Sequence, residues 1–354
     1  MQTYIVYISA LLFVIFFAYL AEKGHTKSEK GICLSVIIFI LTFVAGCRGV
    51  TVGVDTKSYI QIFEYLQKDM IGWAYGEVGF KYFSYIFLKI TNSHTALFLC
   101  FAFVTNLFII LRFWDFKKIS SFSWMVACYY VSFYFMTMNI MRHFLAIAII
   151  FYATRYIERK KYFKFICFVA VASLFHTSAL IGLAFVAFDV FQWRYLSRKQ
   201  RNFMWVASLS LPLVLVGAIL VVIRYKHYFD TMGSVNIGLM LFVKLAVFFF
   251  SLLLFYKKDN SFDGEISEVY RVRCIKVYYL IGILLTGLGY LFSYMDRIGL
   301  PFYIFECIYY GILVKSTRGK FLFKLMIFVV LAYYFVMSMR GGGQGTIPYV
   351  FAWQ

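Results

Sequence analysis

The sequence predicts an all-α, polytopic membrane protein, and three observations carry that prediction. Of 354 residues, 63% are hydrophobic and only 14% are charged. A soluble domain carries roughly 45–50% apolar and about 25% charged residues. The apolar residues fall in continuous runs close to the roughly 20 residues needed to cross a hydrocarbon core. Lys and Arg are shared unevenly between alternate loops. Together these exclude an ordinary water-soluble enzyme, a disordered chain and a small disulfide-stapled domain. The net charge of +19 would suggest nucleic acid as the partner of a soluble protein. Basic loops explain it here, so no nucleic acid is expected.

The runs place spans at about 4–20, 31–47, 95–111, 120–138, 141–157, 163–191, 203–223, 237–256, 277–294, 298–314 and 321–338, giving 11–12 passes. A chain in lipid has to satisfy its own backbone hydrogen bonds, so these are helices. Their continuity excludes the alternating pattern of a β-barrel. The first run has no basic n-region and no small-residue cleavage site, so it reads as a span rather than a signal peptide. The run 163–191 is short for two full crossings. It reads as a helix, a break near His176 and a shorter helix returning, with one tilted span as the alternative.

No soluble domain, linker or repeat stands out, and 1–354 reads as a single integral membrane domain. Its longest segment outside the spans is 48–94. Within it, 78–90 reads as an interfacial amphipathic helix, with Val78, Phe80, Tyr82, Phe83, Ile86 and Phe87 apolar and Lys81 and Lys89 opposite. A short cap on the bundle is the alternative. The loops 23–30, 112–118, 155–164, 194–201, 257–276 and 315–324 hold 24 of the 35 basic residues, and the other loops hold 10. The first set is therefore expected in the cytoplasm, with 48–94 and both termini outside.

Ionisable residues at membrane depth are expensive and mark functional sites. On this topology the unusual ones gather at the outer face. Arg48 ends the second span and leads into a loop with Gly49, Gly53 and Asp55. Arg48 and Asp55 are close enough in sequence to pair. A plain capped loop, with Asp55 or Thr56 at the N-cap of a helix through Tyr59 and Phe63, would use the same residues. Asn139, Arg142 and His143 sit between two runs with hardly a loop. Arg142 there either snorkels to lipid phosphates or clamps a phosphate or carboxylate; the adjacent Asn and His favour the clamp. His176 falls at the expected break, where a neutral imidazole can act as base or bond a sugar hydroxyl. Asp296 and Arg297 join two further spans and read as electrostatic glue or a second cation for a diphosphate. Arg224, Lys226, His227, Asp230 and Arg340 extend the outer polar set. Lys244 and Glu306 are the remaining charges inside spans and are candidates for a buried ion pair. Basic residues with few carboxylates at the mouth of a bundle suit an anionic, lipid-linked phosphate or pyrophosphate. The seven Cys are scattered without ligand spacing, so metal and disulfide roles are not expected.

These residues carry a resemblance. The run from Cys47 through Arg48, Gly53 and Asp55 to Tyr59 resembles the "R…vGtDtxxY" signature of EpsG-type, Wzy-like polysaccharide polymerases. Asn139-Ile140-Met141-Arg142-His143-Phe144-Leu145-Ala146 is similar to their "N-x-x-R-Q-x-x-A" segment, with His143 where Gln is usual. Phe175-His176-Thr177-Ser178-Ala179-Leu180 resembles "FHxSAL". Asp296-Arg297 with Pro301 resembles a later Arg segment, and Ile347-Pro348-Tyr349 a "PY" tail. The resemblance implies a multi-pass glycosyltransferase of the bacterial inner membrane, related to the GT-C class, working on its outer face. Its substrates would be polyprenyl-pyrophosphate-linked oligosaccharides destined for O-antigen, capsule or exopolysaccharide. A chain-length regulator, a flippase and membrane lipid would be its partners. Arg48, Arg142 and Arg297 would bind pyrophosphate. Asp55 would be the base and His176 would position the acceptor, or the reverse; Tyr59, Asn139, His143 and Asp296 would contact substrate. A single displacement would invert the anomeric centre. The outer loops lack a paired-carboxylate motif, so neither an obligatory metal nor a cofactor is expected. A lipid-linked glycan flippase or transporter and a glycan ligase are the alternative functions.

Overall fold

The computed structural model describes residues 2–190, 239–255, 266–289, 295–315, 320–340 and 343–354. The expected span 203–223 and the polar residues Arg224, Lys226, His227 and Asp230 lie outside the described residues. Among those described the chain is all-helical, its one β-type contact being an isolated bridge between Arg48 and Phe351. Four helices are long and apolar enough to cross a membrane, and a bent helix pair gives a fifth. The chain is a multi-pass membrane protein.

Contacts divide it into two compact units, Met1–Gly182 with Tyr310–Gln354, and Leu183–Tyr309. The first begins with α1 (Gln2–Lys23) and α2 (Lys27–Gly46). Thr26 caps α2: its hydroxyl accepts from Glu29 N–H, and the Glu29 carboxylate accepts from the Thr26 N–H in return. This reciprocal pairing satisfies helix-end donors that have no partner inside the helix. Next come α3 (Thr56–Gln67), α4 (Val78–Thr91) and α5 (His94–Asp115). The helix α6 (Phe122–Tyr129) runs through a wide turn at Tyr130–Tyr134 into α7 (Phe135–Asn139). The central helix is α8 (Met141–Glu158), buried along nearly its whole length between α5 and α9 (Tyr162–Ser173). The last long helix is Lys320–Arg340.

Packing here relies on polar contacts as well as shape, because lipid is as apolar as Leu and gives helices little reason to associate. Tyr129 OH donates to Asn106 Oδ1 at 2.8 Å, Tyr130 OH to the Tyr7 carbonyl at 2.8 Å, and Tyr134 OH to the Leu41 carbonyl at 2.6 Å. At the far end of α8 from Arg142, the buried Arg112 guanidinium donates to Thr154 Oγ1 and pairs with Asp115 and Glu158. Arg155 pairs with Asp115 at 2.6 Å. This network ties α5 to α8 by charge at one end.

The expected break in 163–191 is present. Helix α9 has 12 residues, a rise of about 18 Å, well short of a roughly 30 Å core. It stops at Ser173, turns at Leu174–His176, and resumes as a 3₁₀ turn over Thr177–Gly182. A helix stands at the expected 78–90 too, as α4, but its apolar surface is split. Phe80, Ser84 and Leu88 are buried, while Val78, Tyr82, Ile86 and Ile90 are exposed. Hydrophobic residues therefore serve two faces, one turned to the protein and one free.

The second unit holds α10 (Leu183–Val190), α11 (Leu239–Phe255), α12 (Ile266–Leu288) and α13 (Met295–Tyr303), with the start of α14 (Phe305–Lys315). Helix α12 begins well before the expected span at 277, because Val272 and Ile275 are buried between Arg271, Arg273 and Lys276 at helical spacing. The expected span 298–314 is a bent pair, α13 and α14, with a 41° bend. Pro301 lacks the N–H that would bond Arg297 and crowds that carbonyl, which accounts for the kink. The Lys244 and Glu306 pair is formed: Nζ lies 2.9 Å from Oε1, both residues are buried, and Tyr279 OH donates to Glu306 at 3.4 Å.

Candidate functional site

Seven of the nine residues expected to bind substrate or act in catalysis lie in the first unit, on three chain segments. The loop after α2 carries Arg48 and Asp55, and the start of α3 carries Tyr59. The α7–α8 junction carries Asn139, Arg142 and His143. The break after α9 carries His176.

The loop is held by backbone contacts with residues 344–352, more than 290 positions later in the sequence. Gly49 N–H donates to the Val350 carbonyl at 2.7 Å, Gly53 N–H to Gly345 at 2.7 Å, and Ala352 N–H to Cys47 at 2.8 Å. Tyr349 OH donates to the Val44 carbonyl at 2.9 Å, and Tyr7 OH to that of Thr346 at 2.8 Å. These bonds replace the partners a short irregular segment cannot find within itself.

Asn139 joins loop and tail. Its Oδ1 accepts from Asp55 N–H at 2.9 Å, and its Nδ2 donates to Gln344 Oε1 at 3.0 Å. Asp55 stands at the N-cap of α3 by position, yet its carboxylate caps nothing and is half-buried. The backbone N–H, and not the side chain, anchors it, so the carboxylate is left for other work. Arg48 does not pair with Asp55. Its guanidinium folds back to donate to the Ala45 carbonyl and stacks on Phe98 at 4.2 Å. It is only 2% exposed, and its Nε and one terminal nitrogen have no partner. The cation is thus fixed beneath the loop.

Arg142 lies in the first turn of α8. One terminal nitrogen donates to Glu77 Oε2 at 2.7 Å, and its Nε is buried without a partner. The guanidinium lies over Tyr59, Tyr75 and Phe80 at 5.1–5.9 Å, a cation–π cage. Gly76 makes the close approach possible: at φ +125°, a Cβ there would come within 2.6 Å of the guanidinium. Burial pushes the Tyr59 phenol up, and the nearby Arg142 charge partly offsets this. His143, on the next position, is buried and stacks on His176, with ring centroids 4.3 Å apart and planes 20° from parallel. His176 Nδ1 lies 2.7 Å from Ser178 Oγ.

Asp296 and Arg297 stand in the second unit, both half-buried in the first turn of α13. Arg340 is exposed at the end of the last helix. Sequence reasoning missed two residues of the first unit's cluster. Glu77 is a lone carboxylate between Gly76 and Gly79, just ahead of the helix that drew attention. Gln344 sits in a Gly-rich run with a left-handed φ of 66°. Its backbone conformation, uncommon for a residue other than Gly, left no trace in the residue type.

The cluster combines a caged cation, a free carboxylate, two stacked imidazoles and a carboxamide. It can hold an anionic group and move a proton beside it. The sequence model of the EpsG family matches residues 31–351. No curated protein and no solved structure matches the chain.

Proposed function

The chain belongs to the EpsG family, and from that premise we propose that it polymerises polysaccharide at a membrane surface. Membership of the family suggests a polysaccharide-polymerase-like role. The finer reading is a GT-C-like glycosyltransferase on the outer face of the bacterial inner membrane. It joins polyprenyl-pyrophosphate-linked oligosaccharide repeats into O-antigen, capsule or exopolysaccharide. What supports it is the convergence of the loop 48–59, the α7–α8 junction and the break at His176 on one cluster holding Arg142, Asp55 and His176.

In this reading Arg142 holds the diphosphate that leaves with the lipid carrier. A preorganised cation aimed at developing charge is usually the largest catalytic contribution. Asp55 or His176 takes the proton from the acceptor sugar hydroxyl, a contribution of typically 10²–10⁴-fold. A single in-line displacement breaks the anomeric C–O bond to the diphosphate and forms the new glycosidic bond with inversion. No metal is required. Arg48 adds positive potential from below the loop. Tyr59, Asn139 and His143 shape the acceptor side. The assignment of Arg297 and Asp296 rests on the sequence alone and is tested separately by Arg297→Ala.

The test is Arg142→Ala, Asp55→Ala and His176→Ala in a strain lacking the native copy, with lipid-linked glycans analysed. Single repeats on carrier lipid support a polymerase. Full-length polymer in all three variants overturns the site. In a deletion strain, long chains stuck on carrier would indicate a ligase, and units trapped on the inner leaflet a flippase.

A further inference from the structure

Glu77 stands at the start of α4 with extended backbone, φ −67° and ψ 152°, and its side chain makes no capping bond to its own helix. It reaches instead to two other elements. Oε2 accepts from Arg142 at 2.7 Å, and Oε1 accepts from the Thr177 N–H at 3.1 Å. That N–H follows His176 directly and is a donor left over where α9 breaks off. The segment carrying Glu77 is docked against the same break. Phe80 N–H donates to the Leu174 carbonyl at 3.1 Å, and a Cβ on Gly79 would come within 2.6 Å of Leu174 Cβ. One carboxylate thus bridges the candidate anion-binding Arg and the backbone beside the candidate His.

The contact uses only part of what Arg142 offers. A guanidinium carries five donors in a planar fork. Glu77 engages it through one terminal nitrogen, while Nε stays without a partner. The pair is partly shielded, with side-chain exposures of 16% and 19%. A phosphate can take the fork bidentately and carries more charge, so it competes well for the same donors.

We propose that Glu77 is a placeholder for the substrate's diphosphate. Its carboxylate keeps Arg142 and the Thr177 N–H in binding geometry while the site is empty, and the diphosphate displaces it on arrival. This rests on the reading of Arg142 as the anion-binding residue. Glu77 is a positioning residue that acts through Arg142, and it also sets affinity by competing.

The experiment uses the full-length protein in lipid nanodiscs, titrated with inorganic pyrophosphate at fixed ionic strength. Glu77→Gln removes the charge but keeps an acceptor for the Thr177 N–H. It is expected to bind pyrophosphate about tenfold tighter than the parent, a difference of about 1.4 kcal/mol. Glu77→Asp keeps the charge on a shorter arm and is expected to fall between the two. Arg142→Ala is expected to lose binding, and Glu77→Gln added to it to restore none. A merely structural Glu77 would do the opposite: its loss would loosen Arg142 and weaken binding in both variants. Unchanged or weaker binding in Glu77→Gln, with binding lost in Arg142→Ala, overturns the placeholder alone. Parent-like binding in Arg142→Ala overturns the anion-site reading and the placeholder with it.

Discussion

The Asn139–Gln344 bond is the side-chain link between the α7–α8 junction and the tail, and its removal has two separable consequences. Gln344→Ala deletes one hydrogen bond of 3.0 Å, at a net cost of about 1 kcal/mol. Detachment of the tail should then be about fivefold more frequent. Asn139→Ala deletes the same bond and should raise detachment by the same factor. The double variant should do no more, since both changes remove one shared interaction. Global stability separates them. Asn139→Ala also leaves the Asp55 N–H without its acceptor, adding about 1–3 kcal/mol. Cys47 reports the detachment: it is buried, and its carbonyl accepts from Ala352 N–H at 2.8 Å. In a detergent-solubilised variant keeping Cys47 as its only thiol, maleimide labelling should accelerate about fivefold in each single variant and in the double. Thermal unfolding should fall further for Asn139→Ala than for Gln344→Ala. Labelling factors that multiply in the double variant, or equal thermal losses, would refute this account of the junction.

Three further outcomes follow from the same structure. Arg142→Lys keeps the charge but loses the planar fork and the stacking over Tyr59, Tyr75 and Phe80. Polymer yield should drop at least about tenfold in a complementation assay, as expected where Arg and Lys are not interchangeable. Glu306→Leu strands Lys244 in a buried setting and should cost about 3–5 kcal/mol, while Glu306→Leu with Lys244→Met should recover most of it; thermal unfolding in detergent measures both. Gly79→Val pushes a side chain into Leu174, whose carbonyl oxygen lies 2.9 Å from the Cβ position. It should lower polymer yield while leaving membrane insertion, measured by fractionation, unchanged.

The fold was legible wherever apolar length alone decides. Helices α1, α2 and α5 match the expected 4–20, 31–47 and 95–111 within a few residues, because nothing but a helix satisfies a backbone in lipid. The break near His176 was legible too, since the 29 residues of 163–191 are few for two full crossings. Sequence reasoning was weaker where apolar residues serve protein rather than lipid. The early start of α12 rests on Val272 and Ile275 interleaved with basic residues, a pattern that reads as a loop when only hydropathy is summed. In the cluster, Arg142, Asn139, Asp55 and His176 were conspicuous as polar residues against an apolar background. Glu77 was missed because its partners are 65 and 100 residues away. The tail's grip on the loop was missed because it is made mostly of backbone bonds, which any side chain can accompany. Arg48 was found, but its pairing with Asp55 was not formed. The Ala45 carbonyl, three residues back, and the Phe98 ring met the cation first.

The dependence of loop 48–54 on residues 344–352 has a consequence in time. The loop leaves the ribosome about 290 residues before the segment that holds it, an interval of about 15–60 s at the usual rates of synthesis. During that interval Gly49 and Gly53 lack their tail acceptors and Cys47 its tail donor. Helices can insert one by one, but the loop around Asp55 cannot take its final form until residues 344–352 have been made. A chain not yet extended to residue 344 therefore carries Asp55, Asn139 and Arg142 without the backbone frame that holds the loop. The frame around the cluster is therefore assembled only once residues 344–352 reach the loop.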